Sequence, residues 1–313
     1  MPKLPLGLIG VGKIAVDQHI PSIAETGLFD LVAVVSQRGV AVAGAQTFAT
    51  QAAMLAAMPD IAAIANCTPP SVRHSAVVEA LKAGKHVLIE KPPTASVGEL
   101  ADMITVAQSA RRTLFATWHS QYNPAVDKAA GILKARAPLS VDIVWKEDVR
   151  RWHPGQEWIW QPGGFGVFDP GINALSILVK ILPEPVFVAS ARLLFPHNRQ
   201  TPIAASLVLK PAPGSVLHQV SAEFDWRQEG EQTWTISVAL ADGGSLSLTH
   251  GGTRLLIDGT PDVTLADTEY RRIYQRFAAL IAAGQSDIDA RPLHIVADAM
   301  LLGKREVTAP FDW

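Results

Sequence analysis

Residues 4–15 read Leu-Pro-Leu-Gly-Leu-Ile-Gly-Val-Gly-Lys-Ile-Ala, an apolar run that breaks into Gly10-x-Gly12-x-x-Ala15. The run predicts a buried strand, and residues 13–26 predict a helix with Ile14, Ile20 and Ile23 on its apolar side. A glycine fingerprint between a strand and a helix is the turn on which a dinucleotide sits. Gly10 permits the tight turn, Gly12 leaves room for a pyrophosphate, and Ala15 lets the helix approach the strand. The unpaired N–H groups at the helix start favour phosphate. Gly10, Gly12, Lys13 and Ile14 are therefore the expected cofactor contacts on this turn.

The alternation continues to about residue 120. Strands are expected at 31–36, 61–67, 86–90 and 113–118, with helices at 51–58, 71–83 and 96–111. Gly84 is a good C-cap, and Ser96 with Glu99 forms a capping-box pair. Such alternation argues for a parallel sheet with helices on both faces. Near Asn123-Pro124 the pattern changes. Helices are expected at 125–135, 170–182, 268–283 and 293–302, and strands at 140–147, 204–209, 216–226, 233–240 and 245–249. Asp242-Gly243-Gly244 marks a hairpin between the last two strands. The expected fold class is α/β: an N-terminal Rossmann dinucleotide-binding domain over 1–122, then a C-terminal α+β domain over 123–313 with an open, predominantly antiparallel sheet. The second domain is expected to bind substrate and, through an exposed apolar sheet face, to form a homodimer.

Composition narrows the partners. The 313 residues are 48% apolar and 18% charged, enough for two well-packed cores. A net charge of −2 gives no reason to expect nucleic acid or an anionic membrane. The lone cysteine, Cys67, excludes an intrachain disulfide framework, suits a reducing compartment, and reads as a small buried hydrophobe. The sequence runs straight into its first strand, and no apolar stretch reaches bilayer length, so a cytoplasmic chain without a signal peptide is expected. No metal is expected.

The end of the second strand should meet the adenosine ribose. It carries Ser36, Gln37 and Arg38 and no carboxylate, so Arg38 with Ser36 is expected to hold a 2′-phosphate. NADP is the preferred cofactor on this reading, with NAD tolerated. Thr68-Pro69-Pro70, with His74 behind it, gives a stiff loop at the carboxyl edge of the sheet; Thr68, Pro69 and His74 join the expected cofactor contacts. Glu90-Lys91-Pro92-Pro93 ends the next strand and places Glu90 and Lys91 at the same edge. A lysine near a nicotinamide can stabilise a developing alkoxide or shuttle a proton. Further on, 147–160 concentrates Glu147, Asp148, His153, Glu157, Trp152, Trp158 and Trp160, the residue types that bind hydroxyls and apolar ring faces. His119 follows the last Rossmann strand. Asp169 and Asn173 stand four apart at a helix start and share a face. Asp169 before Pro170 also reads as an N-cap, which would make it a poor proton acceptor.

Fingerprint, Thr-Pro-Pro and Glu-Lys-Pro-Pro in this order resemble the Gfo/Idh/MocA oxidoreductase family over essentially the whole chain. The runs Trp145-Lys-Glu-Asp-Val-Arg-Arg-Trp-His-Pro-Gly155 and Gly166-Val-Phe-Asp-Pro-Gly-Ile-Asn-Ala-Leu175 look like its L-arabinose/D-galactose 1-dehydrogenase subgroup. The resemblance implies oxidation of an aldopyranose at C1 to a lactone, with Lys91, Asp169 and Asn173 as catalytic residues and His119, Glu147, Trp152 and His153 on the sugar. The wider family commonly has His at the position of Asn173, and Asn cannot act as a base. Whether Lys91 or Asp169 is the base stays open at this point. The alternatives are another polyol or a cyclic imine as substrate, or a non-catalytic NADP-binding sensor.

Overall fold

The computed structural model describes residues 3–264 and 268–313. In the first unit β1 (Leu4–Ile9), β2 (Phe29–Val35), β3 (Gln46–Phe48), β4 (Ala63–Asn66), β5 (His86–Glu90) and β6 (Leu114–Thr117) form a parallel sheet. Its order is β3-β2-β1-β4-β5-β6. The order reverses between β1 and β4, and ligands bind beyond the carboxyl ends of strands at such a switch. Leu6, Leu8, Ile64 and Leu88 are fully buried, as continuous apolar strands covered on both faces should be. The connecting helices are α1 (Ile20–Thr26), α2 (Gln51–Ala57), α3 (Pro70–Lys82) and α4 (Val97–Ala110). The Ser96 and Glu99 capping box is formed in full. The helix expected over 13–26 is not regular: Ala15–His19 is a π-turn leading into α1.

The second unit holds β7 (Pro138–Lys146), β8 (Val186–Pro196), β9 (Ala204–Pro211), β10 (Gln219–Asp225), β11 (Thr233–Leu240), β12 (Ser245–Thr249), β13 (Arg254–Ile257), β14 (Thr260–Thr264) and β15 (Lys304–Thr308). They form one sheet, ordered β14-β13-β12-β11-β7-β10-β9-β8-β15. Among the described residues, β7 with β10 and β8 with β15 pair in parallel and the other neighbours are antiparallel. The expected hairpin turn joins β11 to β12, with Gly243 at φ 88°. Helices α5 (Pro124–Ala135) and α7 (Phe168–Ile181) pack on this sheet, and a short α6 (Val149–Trp152) follows β7.

The exposed sheet face differs from expectation. Strand alternation sends Val220, Ala222 and Phe224 of β10 to the covered side and Ser221 and Glu223 to the other. There Ser206 Oγ donates to Glu223 at 2.8 Å, Ser221 donates to Asp142, and Arg192 pairs with Glu306 at 2.6 Å. Val208 and Phe187 are exposed among these polar groups. The face is mostly polar, so the apolar patch from which a homodimer was inferred is absent among the described residues.

The domain boundary is also corrected. The compact units are Met1–His119 with Thr268–Ala290, and Ser120–Asp267 with Arg291–Trp313, rather than 1–122 and 123–313. The reason lies in α8 (Glu269–Ala283), whose buried stripe is Tyr270, Ile273, Tyr274, Phe277 and Leu280. Phe277 stacks on Phe29 at 5.4 Å and on Phe115 at 6.2 Å, both from the Rossmann sheet. The last helix, α9 (Arg291–Leu302), belongs to the second unit and packs on β8 and α7. Among the described residues, no helix is long and apolar enough to cross a membrane.

Candidate active site

The fingerprint turn sits where β1 ends. Gly10 adopts φ +88°, and a Cβ there would lie 3.1 Å from the Cys67 carbonyl carbon and the Thr68 nitrogen. Glycine is required on both counts. A Cβ on Gly12 would meet nothing within 4 Å, so the space in front of the helix start is open. The N–H groups of a first helical turn have no intrahelical acceptors and can serve a pyrophosphate here. Lys13 is exposed and pairs with Asp17 one turn on, while Ile14 is only 36% exposed. Cys67, expected to be buried, is partly exposed.

At the end of β2, Ser36 is buried and its Oγ accepts the Val40 N–H at 3.0 Å, leaving its own O–H to donate. Gln37 and Arg38 are exposed. Arg38 Nη2 donates to the Val11 carbonyl at 3.5 Å, which lays the guanidinium across the fingerprint turn. With no carboxylate among Ser36, Gln37 and Arg38, these residues could hold a 2′-phosphate. Arg38→Ala should weaken NADP binding by about 1.5–3 kcal/mol and NAD binding by much less. Fluorescence titrations with both cofactors check this; equal losses would remove the phosphate role.

At the ends of β4 and β5 several of the expected cofactor contacts also have partners within the protein. Thr68 donates its N–H (3.0 Å) and its hydroxyl (2.7 Å) to Asn66 Oδ1, closing a rigid turn. Pro69 is the residue preceding α3. The His74 ring bonds Asp102 on α4 at 2.8 Å. The neighbour the sequence reading missed is Arg73. It is buried, and its guanidinium donates to the carbonyls of Thr68, Glu90 and Pro92, tying both strand ends together. An arginine on a helix ordinarily reads as a solvated charge, so no sequence signal marked it.

Glu90, expected at the cofactor, points inward instead. Its Oε1 is bonded by His19 Nε2 (2.9 Å), the Tyr270 hydroxyl (2.9 Å) and the Thr117 hydroxyl (3.1 Å). Its Oε2 accepts the backbone N–H of Lys91 at 3.0 Å. Burial alone would raise the Glu90 pKa, but the His19 bond and the charges of His19, His119 and Lys91 hold it at about 2. Burial opposes a charge on His19, yet Cys67, Tyr274 and Glu90 raise it well above the ordinary imidazole value. Burial is also the main reason that Tyr274 is pushed up to about 12. Lys91 itself is partly buried. His119 Nδ1 lies 2.7 Å from Glu269 Oε2, and its ring stacks on Tyr270. Burial lowers its pKa, but the Glu269 charge and bond raise it overall.

In the second unit Glu147, His153 and Asp169 come together. His153 Nε2 is 3.7 Å from Glu147 Oε1 and 3.7 Å from Asp169 Oδ2, within ion-pair reach but beyond a direct hydrogen bond. Glu147 is buried, with Trp226 Nε1 donating to Oε1 (3.2 Å) and Trp234 Nε1 to Oε2 (3.0 Å). The N-cap reading of Asp169 is corrected: α7 starts at Phe168, Val167 takes the cap position, and no side-chain cap bond forms. Asp169 lies inside the first turn, buried. Asn173 follows one turn on, and its side-chain amide makes no hydrogen bond among the described residues. Trp152 is 36% exposed, with its ring 5.4 Å from Trp234 and its Nε1 3.4 Å from Gln232 Oε1. Trp226, Trp234 and Gln232 were not legible as site residues, because strand tryptophans read as core. Two carboxylates around one imidazole can accept and pass a proton, and the free amide and half-exposed indole can meet a polyhydroxylated ring.

An open helix start beside a phosphate-suited strand end makes the first unit the Rossmann domain of a nicotinamide-dependent oxidoreductase. The chain belongs to the Gfo/Idh/MocA oxidoreductase family, whose model for the NAD-binding Rossmann fold matches residues 4–117. Galactose 1-dehydrogenase of Pseudomonas fluorescens is 45% identical over 97% of this chain and 97% of its own length. The crystal structure of D-galactose-1-dehydrogenase from Rhizobium etli shares 50% identity, with a TM-score of 0.94 over 100% of this chain and 99% of that one. KijD10, a 3-ketoreductase of Actinomadura kijaniata solved with TDP-benzene and NADP, superposes with a TM-score of 0.82 over 98% and 99% of the two chains. At 18% identity that likeness speaks for the fold alone.

Proposed function

We propose that this chain oxidises an aldopyranose with galactose-type stereochemistry, D-galactose or L-arabinose, at C1 to the lactone, using NADP in preference to NAD. The observation that carries this reading is the 50% identity along the whole chain with a D-galactose-1-dehydrogenase. When bound, the nicotinamide supplies the hydride acceptor. The turn at Gly10 and Gly12 holds the pyrophosphate, and Ser36, Gln37 and Arg38 hold the 2′-phosphate. Asp169 takes the anomeric hydroxyl proton, and Lys91 stabilises the oxygen as charge builds; exchange of these two roles is the alternative assignment. An anomeric hydroxyl is more acidic than an ordinary alcohol, so a carboxylate suffices as base and Asn173 need only hydrogen-bond. Asn173, His119, Glu147 and His153 hold the remaining hydroxyls, and Trp152 packs against the ring. Each Glu147 oxygen keeps a lone pair after its indole bond.

A sugar panel followed at the reduced-nicotinamide absorbance tests the reading. Turnover is expected with D-galactose and L-arabinose. No turnover with galactose, arabinose or fucose would replace this reading with a different substrate or a non-catalytic role.

A further inference from the structure

Between the fingerprint turn and α1 the backbone loosens into the π-turn Ala15–His19. Such turns are rare and recur at functional positions. This one delivers a fully buried imidazole, His19, into the core. A buried ring with unpartnered nitrogens is costly. Both nitrogens of His19 are partnered: Nε2 to Glu90 Oε1 at 2.9 Å and Nδ1 to the Tyr274 hydroxyl at 2.8 Å. The other Glu90 oxygen holds the Lys91 N–H at 3.0 Å.

We propose that His19 is a positioning residue for Lys91: it fixes the Glu90 carboxylate, which fixes the backbone at Lys91, so the cofactor-binding segment and the lysine are held in one register. This rests on the reading of Lys91 as a residue that acts on substrate. Thr117 and Tyr270 also bond Glu90 Oε1. Without His19 the carboxylate keeps these two donors but loses its tie to the fingerprint segment, so it can shift and carry the Lys91 N–H with it. The protein should fold with Lys91 misplaced.

The test is a double-mutant cycle on the full-length protein with His19→Leu, Lys91→Met and the pair, plus His19→Gln, which keeps a donor within reach of Glu90. His19→Leu should lower kcat by about tenfold to a hundredfold with the sugar KM changed by less than about threefold. His19→Gln should recover most of the loss. In the Lys91→Met background, His19→Leu should cost nothing further. A readout without turnover is the reductive-methylation rate of Lys91 in cofactor-free protein, followed by mass spectrometry; His19→Leu should change it and His19→Gln should not. If His19→Leu costs as much with Lys91→Met as without it, or leaves the methylation rate unchanged, the proposal is overturned while the Lys91 reading stands. Wild-type kcat in Lys91→Met overturns that reading, and this inference with it. Should His19→Leu fail to fold, Tyr274→Phe takes its place, with the same outcomes deciding.

Discussion

Asp169→Asn is expected to lower kcat by about two to four orders of magnitude while changing the unfolding free energy by no more than about 1 kcal/mol. The two effects separate because of where α7 begins. Were Asp169 the N-cap, its loss would cost about 0.5–2 kcal/mol in stability. The helix instead starts at Phe168 without a side-chain cap bond, so only a first-turn charge is lost from the helix. Asp169 is also a buried carboxylate 3.7 Å from an imidazole that itself stands 3.7 Å from Glu147. A proton taken by Asp169 therefore has a neighbouring acceptor. The kcat/KM profile against pH assigns the roles, because the group that must be deprotonated sets the acidic limb. That limb should vanish in Asp169→Asn and persist in Lys91→Met; the reverse pattern would make Lys91 the base. A large drop in melting temperature with unchanged kcat per folded molecule would reduce Asp169 to a structural residue.

The parts of the fold legible in the sequence were those with local causes. Strands 4–9 and 86–90 were read to the residue because continuous apolar runs are bounded by glycine or charge. Ser96 and Glu99 announced their helix start by chemistry that needs no tertiary partner. β15 was missed because Lys-Arg-Glu-Val-Thr at a sheet edge carries charges rather than an apolar pattern. The π-turn at Ala15–His19 keeps a helix-like residue pattern and only shifts the backbone bonds, so periodicity cannot reveal it. α8 was legible as an amphipathic helix, but its stripe did not say which sheet would receive it, and the domain division was misplaced for that reason. The candidate site followed the same rule. Glycines and strand-end residues were found from spacing. The inward turn of Glu90 and the buried Arg73 clamp depend on partners 5 to 180 residues away along the chain.

Glu90→Gln is expected to lower the melting temperature most near pH 5–6 and by progressively less on acidification. The carboxylate titrates at about 2 in the folded protein against 4.5 as an ordinary glutamate. A depressed acid contributes stability above its unfolded pKa and loses it as pH falls through the folded one. The contribution of Glu90 should thus be complete above about pH 4.5 and gone near pH 2, and it is on the order of 3 kcal/mol. His19 runs the opposite way. Its folded pKa is raised, so its share is complete below about 6.5 and fades as pH climbs through the folded value. The two overlap between about 4.5 and 6.5, where carboxylate and imidazolium are both charged in the unfolded and folded chain alike. Burying such a pair need not stabilise a protein relative to an apolar pair, but removing one partner leaves the other charge in the core. Glutamine keeps the shape and can accept from Tyr270 and Thr117, yet it offers no charge to His19. Thermal unfolding of wild type and Glu90→Gln from pH 2 to pH 8 measures the difference directly. A melting-temperature gap that stays constant across that range would show that Glu90 acts through packing, with its charge making no contribution.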